Sequence, residues 1–384
     1  MIAVSHPTGN AFVRALLRQL EREKRLARFF TTIVDGRRRA FPIPADRIET
    51  SPVRELARLA LQPLRTPLTR HEIGWASVDG VYRELDLRVA QWLGTEARDI
   101  TWAYGYEDGA LETFRAARKL GIRCAYELPI AYWETTRRLL REEAERYPQW
   151  EPTLGATRDS DAKMARKTEE LELADKIICP SQFVLESVPA HARERCVVSL
   201  FGSPHAGRAR QAQGGPLRVL FAGAMTQRKG LADLFEAMKL LQRYEIQLQV
   251  MGAPLVPMDF YRGQYDGFTH ERPRSQTGVL ALMATCDVLV LPSIVEGRAL
   301  VQQEAMSHGL PLIATRNAGG EDLIDEGETG FLVPIRAPEE IAARLAQLAS
   351  NRSLLEHMSV AARHKAAEYT WDNYAATISA ALQP

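Results

Sequence analysis

The sequence is short of the features that assign a protein quickly. Four cysteines occur in 384 residues, Cys124, Cys179, Cys196 and Cys286, far apart and without a C-x-x-C spacing. That excludes a dense disulfide framework and the common zinc clusters, and makes free thiols in a reducing cytosol the expectation. No apolar run approaches the roughly eighteen residues of a membrane-spanning helix. The amino terminus, MIAVSHPTGN, lacks a basic segment followed by a long apolar core, so a cytoplasmic protein with at most a peripheral contact at the inner membrane face is expected. Formal net charge is only +1, which gives no global pull toward nucleic acid. Neither a Walker loop with its Lys-Ser/Thr ending nor a GxGxxG fingerprint occurs.

What is present is ordinary in bulk, with 46% apolar and 25% charged residues, as in a soluble globular protein. The length exceeds a usual single core, so two domains are expected. Charge is uneven: residues 1–70 hold fourteen Lys and Arg against six Asp and Glu, including Arg37, Arg38 and Arg39. That excess is either a solvated face of the first domain or a surface for an anionic acceptor or membrane.

The most informative stretch runs from Cys286 to Gly320. Asp287 to Leu291 is a short apolar run stopped by Pro292 and Ser293, the pattern of a strand buried on both faces of a parallel sheet. Ala299 to His308 has good helix formers, Gly309 and Pro311 stop it, and a second apolar run follows at Leu312 to Ala314. This spacing predicts a βαβ unit with a ligand crevice beyond its strand ends. Glu296 falls in the turn and Glu304 on the helix. Carboxylates there would repel phosphate, and suit neutral hydroxyl donors such as those on the sugar rings of a nucleotide sugar.

EGRALVQQE, from Glu296 to Glu304, resembles the signature of the retaining glycosyltransferases of family 4, two glutamates with seven residues between. AMSHGLPLIATRNAGGEDLIDEGETGFLVP continues the pattern without a gap. The resemblance implies an α/β protein of the GT-B fold, two Rossmann-like doubly wound domains facing each other across a cleft. Residues 1–205 would bind the acceptor, residues 206–369 the donor, and a last helix, 370–384, would cross back onto the first domain. The linker is expected at His205 to Gly215, which is polar and lacks apolar periodicity.

Along the chain, Ile2 to Ser5 reads as a strand, His6 to Asn10 as a turn, and Ala11 to Leu26 as an amphipathic helix. The resemblance makes Gly9 and Asn10 the glycine loop facing the donor phosphates; the residues alone say only that the backbone turns tightly. Further strands are expected at Ile100 to Tyr104 and Arg123 to Tyr126, and charged helices at Glu134 to Tyr147 and Asp161 to Leu173. Ala174 to Val188 resembles the final strand and helix of the family's first domain. Tyr104, Tyr106, Tyr132 and Trp133 either stack on an acceptor ring or simply pack. Leu217 to Phe221 opens the second domain, followed by a helix at Leu231 to Leu241, a strand at Ile246 to Met251 and a long irregular segment before Gly278.

Breaking a sugar–diphosphate bond builds negative charge on the leaving group, so fixed cations are required. FAGAMTQRKG supplies Arg228 and Lys229. The family's turn usually reads Gly-Arg, four residues, Lys-Gly; here Gly223 is followed by Ala224, while Lys229-Gly230 matches. Either Arg228 takes the missing arginine's role or the site has one cation fewer. The resemblance also has Glu304 accept from the ribose hydroxyls and Glu296 from a hydroxyl of the transferred sugar. Main-chain groups of Gly297, Arg298, Ala299 and Leu300 would serve the sugar and phosphates, and those around Thr269 and His270 the base. Ala299 stands where relatives often carry glycine.

The histidine that many relatives place after the fourth strand is absent, with Glu127 at about that position and His6 the histidine best placed to enter the cleft. Front-face attack in this family lets the departing phosphate take the acceptor proton, so no general base is demanded. Asp159-Ser160-Asp161 matches the metal-holding D-x-D of the other large glycosyltransferase fold, but it precedes a helix, so capping is the expectation and no metal or resident cofactor is called for. The expected function is retaining transfer of a hexose-type unit from a UDP- or GDP-linked donor to a saccharide or other hydroxyl acceptor. The alternatives are a GT-B epimerase or phosphorylase and a non-catalytic sugar-binding protein.

Overall fold

The computed structural model describes residues 1–34, 41–64, 66–204 and 214–383. Arg37 to Arg39 and most of the expected linker lie outside them. Seven strands, β1 (Ile2–Ser5), β2 (Leu26–Thr31), β3 (Ile48–Thr50), β4 (Trp102–Tyr106), β5 (Arg123–Glu127), β6 (Lys176–Cys179) and β7 (Cys196–Val198), form one sheet in the order β3-β2-β1-β4-β5-β6-β7. Six more, β8 (Leu217–Ala222), β9 (Ile246–Met251), β10 (Phe268–Glu271), β11 (Val288–Leu291), β12 (Leu312–Ala314) and β13 (Gly330–Leu332), form the second in the order β10-β9-β8-β11-β12-β13. Every named pairing is parallel. The central strands are short apolar runs because helices cover both faces, and β11, VLVL, is buried at every residue.

The first sheet is wrapped by α1 (Ala11–Arg22), α2 (Pro52–Leu61), α3 (Val78–Glu96), α4 (Leu111–Lys119), α5 (Trp133–Arg146), α6 (Asp161–Leu173) and α7 (Gln182–Ser187). The second carries α8 (Leu231–Leu240), α9 (Met258–Gln264), α10 (Gln276–Met283), α11 (Leu300–Ser307), α12 (Pro338–Ser350) and α13 (Arg352–Glu368). The last helix, α14 (Trp371–Ala381), returns to the first sheet. Its Tyr374, Ala375 and Ile378 pack among Phe12, Leu16 and Tyr104, and Arg25 donates to the Ser379 carbonyl at 2.9 Å.

Three expectations need correction. The first helix ends at Arg22 because Lys24 adopts a left-handed φ of 57°, which turns the chain so that Leu26 begins β2 instead of ending a helix. The strand and helix at residues 174–188 are not the last elements of the first sheet, since β7 pairs outside β6. The segment before Gly278 is not irregular throughout; it holds α9 and β10, and β10 carries Thr269 and His270.

One excursion of the first domain matters for the site. After α5 a short 3-10 stretch, Pro148–Thr153, carries Trp150 into the core of the second sheet, where it meets Phe260 edge-on with ring centroids 5.0 Å apart, and Tyr261 at 5.7 Å. Among the described residues no helix is long and apolar enough to cross a membrane.

Candidate active site

The turn after β8 is shaped by glycines that nothing larger replaces. Gly223 has φ of 151°, and a Cβ there would lie 2.7 Å from Cδ of Lys229, so the lysine stem runs across the bare backbone. Gly230 is left-handed, with φ of 75°, and a Cβ would fall 2.0 Å from the Pro292 carbonyl oxygen at the end of β11. The two strand ends are therefore pressed together. The main chain confirms the latch: Ile294 N–H donates to the Arg228 carbonyl at 2.9 Å.

Three residues from the two motifs meet there. Lys229 Nζ lies 2.6 Å and Arg228 Nη1 3.0 Å from the same oxygen, Oε2 of Glu296. Arg228 Nη1 also donates to the Val295 carbonyl at 3.1 Å. Burial by itself would raise the Glu296 carboxyl, but the two cations outweigh it and hold the group down at about 2. Glu296 is therefore ionised at every pH at which the protein would work.

Gly297 sits where the two domains press together. A Cβ would lie 1.8 Å from the Pro129 carbonyl oxygen of the loop after β5, and Ser181 Oγ donates to the Gly297 carbonyl at 2.8 Å. The Arg298 guanidinium is buried as a strut, bonded to Asp322 at 2.9 Å and set over the Tyr369 ring. Ala299 N–H reaches the Ala318 carbonyl only at 3.5 Å, and Leu300 opens α11. Glu304, half-buried on α11, accepts from Gln276 of α10 at 3.3 Å, and burial raises its carboxyl above the usual range. His270 Nε2 sits 2.9 Å from the Gly252 carbonyl, beside the end of β9, and Thr269 is exposed one residue before it.

Other expected participants belong to the first domain. Arg14, at the start of α1, donates to the Gly9 carbonyl from Nε at 2.8 Å and to the Asn10 carbonyl from its main-chain N–H at 3.1 Å. His6 is fully buried between Phe12 and Tyr106, and burial lowers its pKa to about 3, so it is a neutral packing residue and not a cleft residue. Glu127 is also buried, beside Tyr104 and Tyr374 under α14, and burial pushes its carboxyl up to about 8. Tyr104 and Tyr132 are core residues as well.

Of the four aromatic residues only Trp133 lines the cavity of about 290 Å³ between the domains. Arg137, Thr153 and Lys167 share that cavity from the first domain, and Ala224, Thr226 and Arg228 from the second. Ala224 and Arg228 thus border one space, as the exchange of roles between them requires. Ser160 caps α6, accepting from Lys163 N–H at 3.2 Å. Asp159 lies with His71 and Glu72, their ligand atoms within 4.8 Å of one another. Lys163 Nζ lies 3.4 Å from Asp159, and Ser160 N–H donates to Glu72 at 2.7 Å.

Sequence reasoning missed Gln227. It is completely buried, donates to Glu143 of α5 at 2.7 Å and to Asp233 of α8 at 2.8 Å, and accepts from Ala232 N–H at 2.9 Å. Thr226 Oγ1 donates to the Thr153 carbonyl at 2.7 Å. The cation turn is thereby bolted to the first domain's excursion. Its only signal in sequence was adjacency to Arg228 and Lys229.

Parallel sheets paired across a cleft, with cations and carboxylates at the strand ends, define a GT-B fold, and comparison with solved structures agrees. The chain aligns with sucrose-phosphate synthase from Thermosynechococcus elongatus at a TM-score of 0.70, 16% identity, covering 99% of this chain and 97% of that one. It aligns with Anabaena HepE, solved in complex with UDP and glucose, at 0.63 and 16% identity, covering 99% and 98%. Residues 216–351, which hold the second sheet and α8 to α12, match the family profile described as Glycosyl transferases group 1.

Among curated proteins, D-inositol 3-phosphate glycosyltransferase of Corynebacterium urealyticum is 30% identical over 184 residues, 44% of this chain and 43% of that protein. Sulfoquinovosyl transferase SQD2 of Arabidopsis thaliana is 41% identical over 91 residues, 23% of this chain and 18% of that protein. The match spans less than half the length of these relatives.

Proposed function

We propose that the chain is a retaining glycosyltransferase that moves a hexose-type unit from a UDP- or GDP-linked donor to a saccharide or other hydroxyl acceptor. The observation that carries this is the convergence of Lys229, Arg228 and Glu296 where β8 and β11 end. Two fixed cations in a site closed by Gly223, Gly230 and Gly297 are suited to the charge that grows on a departing diphosphate. The HepE structure in complex with UDP and glucose supports a uridine nucleotide among the possible donors.

Glu304 accepts from the ribose hydroxyls, Glu296 from a hydroxyl of the sugar, and the main chain of residues 297–300 lies along the sugar and phosphates. Thr269 and His270 flank the base, and Gly9 and Asn10 close over the phosphates from the first domain. Residues 1–205 supply the acceptor side and residues 206–369 the donor side, with the cavity at Trp133 holding the acceptor. In the transfer the bond from the anomeric carbon to the diphosphate oxygen breaks, the acceptor oxygen bonds to that carbon on the same face, and its proton passes to the departing phosphate. No metal and no resident cofactor are required.

The test is release of nucleoside diphosphate from UDP- and GDP-hexoses, with and without a panel of saccharides, after chelation of divalent metal. Transfer that persists in chelator with retained anomeric configuration is expected. Absence of turnover with every donor, or turnover restored only by magnesium or manganese, contradicts the proposal. Sugar phosphate formed from added phosphate would identify a phosphorylase instead.

A further inference from the structure

Both cations of the turn are already paired, and with a single oxygen atom. We propose that Glu296 is a resident counter-anion: in the unliganded protein its carboxylate holds the place of the donor's diphosphate between Lys229 and Arg228, yields it to an intact nucleotide sugar, and reclaims it from the spent diphosphate. This rests on the donor-site reading above and extends it to discrimination between substrate and product.

The cations are the fixed partners of this triad. Lys229 is confined by its passage over Gly223, where even a Cβ would lie 2.7 Å from its stem, and its side chain is only 12% exposed. Arg228 is tethered through its carbonyl to Ile294 N–H and through its guanidinium to the Val295 carbonyl. In this proposal the anion is the group that moves. A diphosphate arriving at Lys229 and Arg228 meets a carboxylate 2.6 and 3.0 Å from the same nitrogens. It cannot share them without severe like-charge repulsion at that distance.

What becomes of Glu296 then depends on the ligand. A displaced carboxylate that stays buried without partners is costly. A donor that still carries its sugar offers that sugar's hydroxyl groups to it, and hydroxyls donate to carboxylates at no cost in charge. A nucleoside diphosphate alone keeps only its ribose hydroxyls, which the donor-site reading gives to Glu304, so in the product complex Glu296 is stranded next to a like charge. The site should thus bind donor in preference to spent nucleotide, and the returning carboxylate should help to expel the product.

Titration calorimetry on the full chain, wild type and Glu296→Gln, tests this with inorganic pyrophosphate, UDP and GDP, and the glucose and mannose conjugates of both nucleotides. The wild type should prefer a conjugate to the bare diphosphate of the same base. Glu296→Gln should bind pyrophosphate and the bare diphosphate on the order of tenfold more tightly and lose the preference. Glu296→Ser carries the same expectation should the glutamine variant misfold. Diphosphate affinity unchanged or weakened in either variant, or a wild type that binds bare diphosphate as tightly as every conjugate, overturns the counter-anion while leaving the donor site standing. A wild type that binds none of the probes overturns the donor-site reading itself.

Discussion

Gln227, the residue before the two cations, donates from Nε2 to Oε2 of Glu143 at 2.7 Å, and this bond joins the cation turn of one domain to a helix of the other. Both Glu143 and Asp233, its second acceptor, are wholly buried, and each has an arginine partner besides: Arg336 beside Glu143, and Arg146 2.7 Å from Asp233. The turn is positioned by a network that spans the domain boundary. Its loss should be felt in both stability and chemistry.

Replacing Gln227 by leucine keeps the volume and removes the donor from two buried carboxylates. Leaving such groups short of a partner should cost about 1–3 kcal/mol of stability. Turnover should fall as well, since Arg228 and Lys229 lose the anchor that aims them. Urea denaturation alongside donor turnover checks both; wild-type values in both would show that Gln227 only fills space.

Glu127 predicts a pH dependence. Its folded-state pKa of about 8 stands above the ordinary 4.5 because of burial. Between those values the folded chain keeps a proton that the unfolded chain has released, so the favourable contribution is complete below about pH 4.5 and is lost as pH rises to about 8. Glu127→Gln cannot lose it. The stability of that variant relative to wild type should therefore grow between pH 6 and 8, by up to roughly 1.4 kcal/mol per pH unit. A difference that stays flat over this range in urea titrations would show that Glu127 is already ionised under α14.

The second domain was the more legible of the two. Its strands β9 and β12 match the expected bounds because continuous apolar runs are punctuated by glycine and proline. In the first domain, Leu26 extends the apolar face of α1 in sequence, and only the left-handed Lys24 ends the helix, which no periodicity reveals. β3 is three half-buried residues, too short to stand out, and α3, between Val78 and Glu96, has a weakly sided pattern that offered no reading. In the site, residue types and turn positions were readable. The meeting of Lys229 with Glu296 was not, because it depends on how β8 and β11 lie side by side in the sheet. Glu127 does end β5, as its position implied, whereas His6 was misplaced toward the cleft for a related reason: sequence gives the strand end but not the face.

Ala224 and Arg228 border the same cavity, and this sharpens a rescue experiment. Arg228→Ala and Lys229→Ala should each lower turnover on the order of 10²-fold or more, as when one transition-state partner is lost. Adding Ala224→Arg to Arg228→Ala should restore part of that loss, because it returns a guanidinium to the cavity that both positions line. Near-normal turnover in Arg228→Ala alone would show that Lys229 works unaided.

The central claim is that a nucleotide sugar seats its ribose on Glu304 and its sugar beside Glu296. The most direct measurement is the affinity for UDP and GDP of the wild type, Glu304→Ala and Glu296→Ala, taken with donor turnover for the same proteins. Glu304→Ala should weaken the preferred nucleotide by roughly 1.5–3 kcal/mol, the size of a lost hydrogen bond to a charged group. Glu296→Ala should keep or improve nucleotide binding while turnover drops. Nucleotide affinity and turnover unchanged in both variants would contradict the account and remove the donor from this cleft.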